Sequence, residues 1–210
     1  MAYGYLGQNT PNQTVNNSGV FSITDSADLE SQGALGGSLE LIQEQTVTGN
    51  PTAVSFTNIK ESIYDVHLLE FNNLKAPSQA QDFGFRFSTN SGSSYVTSGY
   101  QYAYQYVNTA GGAVETRSTS ATHIQYSSTG GDSRNNNGYA YFYNLGNSAK
   151  YSFSNHQLFQ DGAGTDLISF GGGVYPTANT VNGLQILTLG SSGYTAGVVK
   201  LFGVKQIWVT

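Results

Sequence analysis

The 210-residue chain contains no cysteine, which excludes disulfide bridges, thiolate nucleophiles and zinc–thiolate sites. Charged residues make up only 10% of it, against roughly a quarter in typical globular proteins. Its eight Lys and Arg residues do not cluster, and the formal net charge is −5. We expect no nucleic-acid partner, because sequence-independent phosphate binding needs concentrated positive charge.

Long apolar runs are also missing. No segment approaches the roughly 18 consecutive apolar residues of a membrane-spanning helix, so no membrane partner is expected. The first seven residues carry neither a positive charge nor an apolar stretch, and so do not resemble a secretory signal. These features predict a soluble protein made in a cytosol, which reaches the outside of a cell only by a route such as assembly into a particle.

Alternating β patterns with short glycine- and proline-containing breaks fill the chain from Ser38 onward. The pattern predicts an all-β, antiparallel two-sheet sandwich, most consistent with a jelly roll. The apolar density of the last strand predicts a central position for it, with Gly203 marking a bend or a close approach. The predicted strands are residues 38–47, 52–58, 64–72, 83–89, 94–107, 121–127, 138–145, 150–157, 166–175, 183–189 and 196–209.

Tyrosines recur at every second position in two of these strands, and we call the two sets the first and second tyrosine ladders. Because side chains of a strand alternate between its faces, each ladder places its rings on one face. Tyrosine suits interfaces and sugar platforms, so both ladders are candidate binding surfaces; the alternative is core packing between the sheets. On neighbouring strands they would form one continuous aromatic surface. The first ladder is Tyr100, Tyr102, Tyr104 and Tyr106, and the second is Tyr139, Tyr141 and Tyr143.

Residues 1–37 differ from the rest of the chain, because they are rich in Asn and Gly and carry only short apolar patches. Such a segment has too little apolar surface to fold alone, so we expect an arm that docks on something. It either packs over its own sandwich, which comprises residues 38–210, or anchors the protein to a neighbouring subunit. The candidate anchor residues are Tyr5, Leu6, Val20 and Phe21.

The sequence offers no convincing catalytic residue, metal site or cofactor motif. Glu40 and Glu44 share a face of one predicted strand about 13 Å apart, farther than the roughly 5 to 9.5 Å between glycosidase carboxyls. The three histidines lie in separate strands and are interpreted as structural. We therefore predict that the chain is not an enzyme, with a polysaccharide-degrading activity as the alternative.

Several short motifs resemble those of small virion structural proteins of tailed bacteriophages, particularly marine and cyanobacterial ones. They are Tyr5-Leu6-Gly7, Asn17-Ser18-Gly19-Val20-Phe21, Leu35-Gly36-Gly37-Ser38-Leu39-Glu40-Leu41-Ile42, Phe87-Ser88 with Gly92-Ser93-Ser94-Tyr95, and Leu201-Phe202-Gly203-Val204. The resemblance spans nearly the whole chain. It implies a jelly-roll or lectin-like sandwich behind an N-terminal attachment arm, and it supplies no catalytic residues.

Together, the resemblance and the composition give a functional hypothesis. We expect a structural component of the virion surface, assembled in the host cytoplasm, with a tail fibre or appendage favoured. Capsid decoration and a carbohydrate-binding module are the alternatives. The expected partners are other virion proteins through the arm, further copies of the chain, with a trimer favoured, and a host-surface glycan.

Overall fold

The computed structural model describes residue 24 and residues 38–75, 82–127, 135–161, 166–190 and 192–205. These residues form twelve strands. Eleven correspond to predicted strands, whereas the sixth was not predicted. Among the described residues there is no helix of the length and apolarity that a bilayer crossing demands. The strands are β1 (Leu39–Thr46), β2 (Ala53–Thr57), β3 (Val66–Lys75), β4 (Phe83–Ser88), β5 (Tyr100–Asn108), β6 (Ala113–Ala121), β7 (Ile124–Ser127), β8 (Asn135–Tyr143), β9 (Ser152–Gln160), β10 (Leu167–Tyr175), β11 (Gly183–Thr188) and β12 (Ala196–Val204).

The strands form two antiparallel sheets. The larger sheet has the order β1-β12-β3-β8-β9-β10-β5-β6, and the smaller has the order β2-β11-β4-β7. Buried apolar side chains of both sheets belong to one core cluster, so the sheets stack face to face. The prediction of an all-β sandwich with two antiparallel sheets is therefore confirmed.

Chain contacts separate the protein into two compact units. One unit is Glu40–Gln206, which holds almost all of the sandwich, and the other is Met1–Leu39 with Ile207–Thr210. The predicted arm, including its candidate anchors Tyr5, Leu6, Val20 and Phe21, lies outside the described residues except for residue 24. Its role as an anchor stays a prediction.

Eight of the strands pair in a nested order. β1 lies beside β12, β2 beside β11, β3 beside β8, and β4 beside β7. The first strands of the chain thus pair with the last ones, in reverse sequence. The remaining strands, β9, β10, β5 and β6, extend the larger sheet beyond β8. The larger sheet therefore has twice as many strands as the smaller one that covers it.

Aromatic rings fill the space between the sheets. Phe85 of β4 is fully buried, stacks on Tyr126 at a centroid distance of 4.8 Å, and meets Phe142 of the larger sheet edge-on at 5.2 Å. Burying one such ring stabilises the fold by about 1.5–3 kcal/mol relative to leaving it in water. The facing rings thus hold the two sheets together.

The last strand, β12, lies inside the larger sheet between β1 and β3. Gly203 of this strand packs against the ring of Tyr64, since a Cβ atom there would sit 2.3 Å from its Cδ2 atom. The expected close approach at this glycine is confirmed.

Candidate functional site

The first tyrosine ladder, on β5, faces the interior. Tyr100 and Tyr104 are 0% and 2% exposed, while Tyr102 and Tyr106 are half-buried against the core cluster. Its rings point toward the smaller sheet, so Tyr100 and Tyr104 offer no open contact surface, whereas a binding role for Tyr102 and Tyr106 stays a prediction. The alternative, core packing, describes the buried pair.

Two hydroxyl groups of the first ladder, those of Tyr100 and Tyr102, have hydrogen-bond partners inside the protein. The Phe87 backbone N–H donates to the Tyr100 hydroxyl at 2.8 Å, and the Tyr102 hydroxyl donates to Oε1 of Gln125. Burial holds the pKa of the Tyr100 phenol well above its ordinary value. Tyr100 is therefore a neutral structural side chain.

The second tyrosine ladder, on β8, faces away from the smaller sheet. Tyr139 is 40% exposed, and neighbouring rings of the ladder are 5.8 and 6.4 Å apart, with Tyr141 in the middle. The Tyr139 hydroxyl donates to Oε1 of Gln157 at 3.0 Å. The two ladders lie on opposite faces of the larger sheet, on strands that are not neighbours, so they do not form one surface. A binding role for this second ladder stays a prediction.

The outward side of the next two strands carries aromatic and aliphatic side chains that the sequence reasoning missed. Phe153 and Phe159 on β9, and Phe170 on β10, are 44–45% exposed. In β9 the usual pattern is inverted, since the buried positions hold Ser152, Ser154, His156, Leu158 and Gln160. A period-2 pattern with phenylalanines opposite mainly polar residues normally places the phenylalanines inside. We call the surface formed by Tyr139, Tyr141, Tyr143, Phe153, Phe159, Ile168 and Phe170 the outer aromatic face.

The strand registers arrange the outward residues of β8, β9, β10, β5 and β6 in four rows that cross the strands. The first row is Tyr143, Phe153, Val174 and Gln101; the second is Tyr141, Asn155, Gly172, Ala103 and Arg117; the third is Tyr139, Gln157, Phe170, Gln105 and Glu115; the fourth is Asn137, Phe159, Ile168, Val107 and Ala113. Each row mixes aromatic or aliphatic side chains with amides.

A trough of about 490 Å³ lies on this surface where the second row has small side chains. Gly172 and Ala103 line it together with Phe153, Val174 and Arg117. A Cβ atom on Gly172 would sit 2.5 Å from the backbone oxygen of Ser154, so a larger residue does not fit there without a shift. The face thus combines protruding rings with a shallow, open depression.

Charges on the outward side lie toward the two ends of the rows. Arg117 and Glu115 on β6 form an exposed ion pair of 3.0 Å. At the other end, Lys200 pairs in register with Glu70 and forms an ion pair with Glu44 at 3.2 Å. The centre of the face, on β8, β9 and β10, is uncharged.

Glu40 and Glu44, the carboxylates considered above for glycosidase chemistry, form ion pairs at the β1 side of the larger sheet. Glu40 contacts Nζ of Lys60 at 2.8 Å and Nζ of Lys205 at 4.0 Å. Hydrogen bonding to Lys60 lowers the pKa of Glu40, while burial beside this carboxylate raises the pKa of Tyr64 to about 12. Each carboxylate has a lysine partner, which is a structural arrangement rather than that of a general acid.

All three histidines are buried. His67 contacts the backbone oxygen of Ile59 through Nε2 at 2.8 Å. Burial lowers the pKa of His123 and of His156 to about 4, so both rings are neutral near pH 7. Within the part of the chain that is described, no three His, Asp or Glu side chains group as a metal site would require.

The outer aromatic face is the most extensive unpartnered feature described above. Comparison of the chain with protein-family models, with curated proteins and with solved structures found no match. The chemistry of this surface is therefore the main indication of what the chain does.

Proposed function

We propose that this chain is a structural, non-catalytic component of a bacteriophage virion surface. The observation that carries the proposal is the outer aromatic face. Four of its rings together expose roughly 350 Å² to water, taking about 200 Å² as the surface of one fully exposed aromatic side chain. These rings are Tyr139, Phe153, Phe159 and Phe170. The largest apolar patch of a typical monomer measures about 300–600 Å² and is often functional, so a patch of this size is a candidate association surface. A subunit of an assembly needs such a surface.

The fold that we propose is a jelly roll with an enlarged sheet. Nested pairing of β1 with β12, β2 with β11, β3 with β8 and β4 with β7 supports it. A jelly roll has eight strands in two sheets, as if a long hairpin were rolled up. The four further strands then widen the sheet that carries the outer aromatic face.

Residues 1–37 are proposed to fasten the protein to other virion proteins, with a tail fibre or appendage as the first choice and capsid decoration as the alternative. Only 10% of the residues are charged. Contacts made by aromatic rings and amides depend little on ionic strength, whereas exposed ion pairs are screened by salt. This composition supports assembly through neutral surfaces.

Removal of residues 1–37 is expected to leave a folded sandwich that no longer joins particles. The truncated and full-length proteins should melt cooperatively at similar temperatures by circular dichroism. Immunoblots of purified virions from cells supplying either form should detect only the full-length protein. Incorporation of the truncated form at the full-length level would show that the arm is not the anchor.

A carbohydrate-binding module is the second candidate function, because the trough beside Phe153 has amide and guanidinium donors at its rim. Gln101 and Arg117 can donate hydrogen bonds to sugar hydroxyls while a ring packs on the sugar face. Under this alternative, glycan-array binding should be lost in Phe153→Ala and retained in Ile63→Ala, whose side chain is exposed in the turn before β3. The virion proposal does not require any glycan signal.

A further inference from the structure

We propose that two copies of this chain pack face to face through their outer aromatic faces. The two-fold axis lies in the plane of the interface, runs across the strands, and passes between the second and third rows. This inference goes beyond the proposed function, because it concerns the isolated chain and does not depend on any particle.

The proposed axis matches complementary residues along the central strands. It places the third row of one copy over the second row of the other, so that Phe170 faces Gly172 and Gln157 faces Asn155. It also places the fourth row over the first, so that Phe159 faces Phe153. A two-fold interface uses the same patch on both copies, and therefore needs such self-complementarity.

Shape supports this arrangement. Phe170 is 45% exposed, and the trough that Gly172 and Ala103 line lies in the neighbouring row. A ring from each copy can enter the trough of the other, as side chains of two stacked sheets interdigitate in a sandwich core. The depression and the ring that fills it are thus present on one surface.

Charge supports the same register. Glu115 lies in the third row and Arg117 in the second, directly before and after Thr116 on β6. The axis brings Glu115 of each copy toward Arg117 of the other, which makes a network of four alternating charges. Complementary charges at the rim of an interface fix its register.

The size of the face matches the size of a stable interface. Five strands of nine residues, β5, β6, β8, β9 and β10, cover about 24 Å by 30 Å, or roughly 700 Å². A standard interface buries about 800 Å² on each partner. Pairing through the edge strand β6 is less favourable, because Glu115 and Arg117 charge that edge.

Sedimentation equilibrium of the full chain tests the proposal, with two chains as the expected mass. Phe170→Glu should weaken the dimer by at least about 100-fold in Kd, because it puts two unpaired carboxylates into the interface. The control Ile63→Glu, at an exposed position in the turn before β3, should dimerise normally. A monomer or a trimer of the unmodified chain would overturn the proposal, as would a Phe170→Glu dimer of unchanged affinity.

Exchanging the charges of Glu115 and Arg117 tests the register of the dimer. This test does not depend on whether the Phe170→Glu variant folds. Arg117→Glu alone should weaken the dimer, since it brings four carboxylates together, and adding Glu115→Arg should restore it. Both residues are exposed, so the monomer should keep its melting temperature. Lack of recovery in the double variant contradicts the proposed axis.

Cross-linking gives an independent check, since the chain has no cysteine of its own. In a variant with Phe153→Cys and Phe159→Cys, a short bismaleimide should join the two copies into a covalent dimer. Within one chain these positions are about 20 Å apart along β9, too far for the reagent. Each single variant should stay uncross-linked; equal cross-linking of the single variants would refute the register.

Discussion

Acidification below about pH 6.5 is expected to destabilise the sandwich steadily, with a loss of about 3 kcal/mol by pH 4 for each of His123 and His156. A pKa lowered from 6.5 to about 4 corresponds to this free energy at 1.36 kcal/mol per unit. The combined loss of about 6 kcal/mol is comparable to the whole stability of many domains. Urea unfolding at a series of pH values, followed by circular dichroism, measures it.

The cause is the burial of both rings as neutral imidazoles. His156 is surrounded by the rings of Phe85, Tyr104 and Tyr126 at centroid distances of 6.1–6.3 Å. Neither of its nitrogens has a protein hydrogen-bond partner within the described ranges. A proton added to His156 would therefore place an unpaired charge in an aromatic core.

The direction of the pH effect follows from the sign of these shifts. The folded-state pKa lies below the unfolded value, so the unfolded chain binds protons first as the pH falls. The two histidines contribute fully to stability above about pH 6.5, and this contribution is lost as the pH falls from about 6.5 to about 4. Glu40, with a lowered pKa, loses its contribution only at lower pH. The change in the free energy of unfolding between pH 6.5 and pH 5 thus comes mainly from the histidines.

His156→Leu is the matched control for the acid effect. The variant removes one titrating ring and two unpartnered nitrogens, and should lose about 3 kcal/mol less than the unmodified chain between pH 6.5 and 4. An unchanged pH dependence in this variant would assign the acid sensitivity to other groups.

Phe85→Ala is expected to lower the free energy of unfolding by about 3–5 kcal/mol. The ring is fully buried where the sheets meet, in contact with Tyr126 and Phe142. Its removal takes away buried apolar surface and leaves a cavity that the stacked sheets cannot close, because interiors are tightly packed. Urea unfolding at pH 7.5 measures the change.

Phe170→Ala provides the comparison, since it makes the same substitution on the outer aromatic face. In the monomer it should cost at most about 0.5 kcal/mol, because the ring already lies half in water. Both variants are measured at a protein concentration low enough for the monomer to prevail. Equal losses for Phe85→Ala and Phe170→Ala would mean that the assignment of the two faces is wrong.

The sequence predicted the strands well, and its one omission has a physical reason. β6 reads Ala-Val-Glu-Thr-Arg-Ser-Thr-Ser-Ala and lies at the edge of the larger sheet. None of its residues is buried, and Val114, on its inward side, is 41% exposed. A strand without a buried face has no apolar alternation to detect.

The orientation of the two tyrosine ladders could have been read from the residues between the tyrosines. On β8 these residues are Ala140 and Phe142, which are buried, so the tyrosines point outward. On β5 they are Gln101, Ala103 and Gln105, which remain in water. Two strands with the same tyrosine spacing thus point their tyrosines to opposite faces of the sheet, because each strand buries its more apolar side.

Other features depend on pairing between distant strands and could not be predicted. The four rows of the outer aromatic face exist only in the register of β8, β9, β10, β5 and β6. Gly172 and Ala103 line a trough together because the register of β10 and β5 places these two small residues side by side. Local sequence contains no information on such neighbours.

The nested pairing of the sandwich has a consequence for how the chain reaches its native state. β1 finds its partner only when β12 has left the ribosome, and β2 likewise depends on β11. Sheets closed by such remote pairs fold slowly, and partly folded chains keep apolar strands uncovered meanwhile. Nascent chains therefore have an extended period of aggregation risk, which favours expression at low temperature and with chaperones.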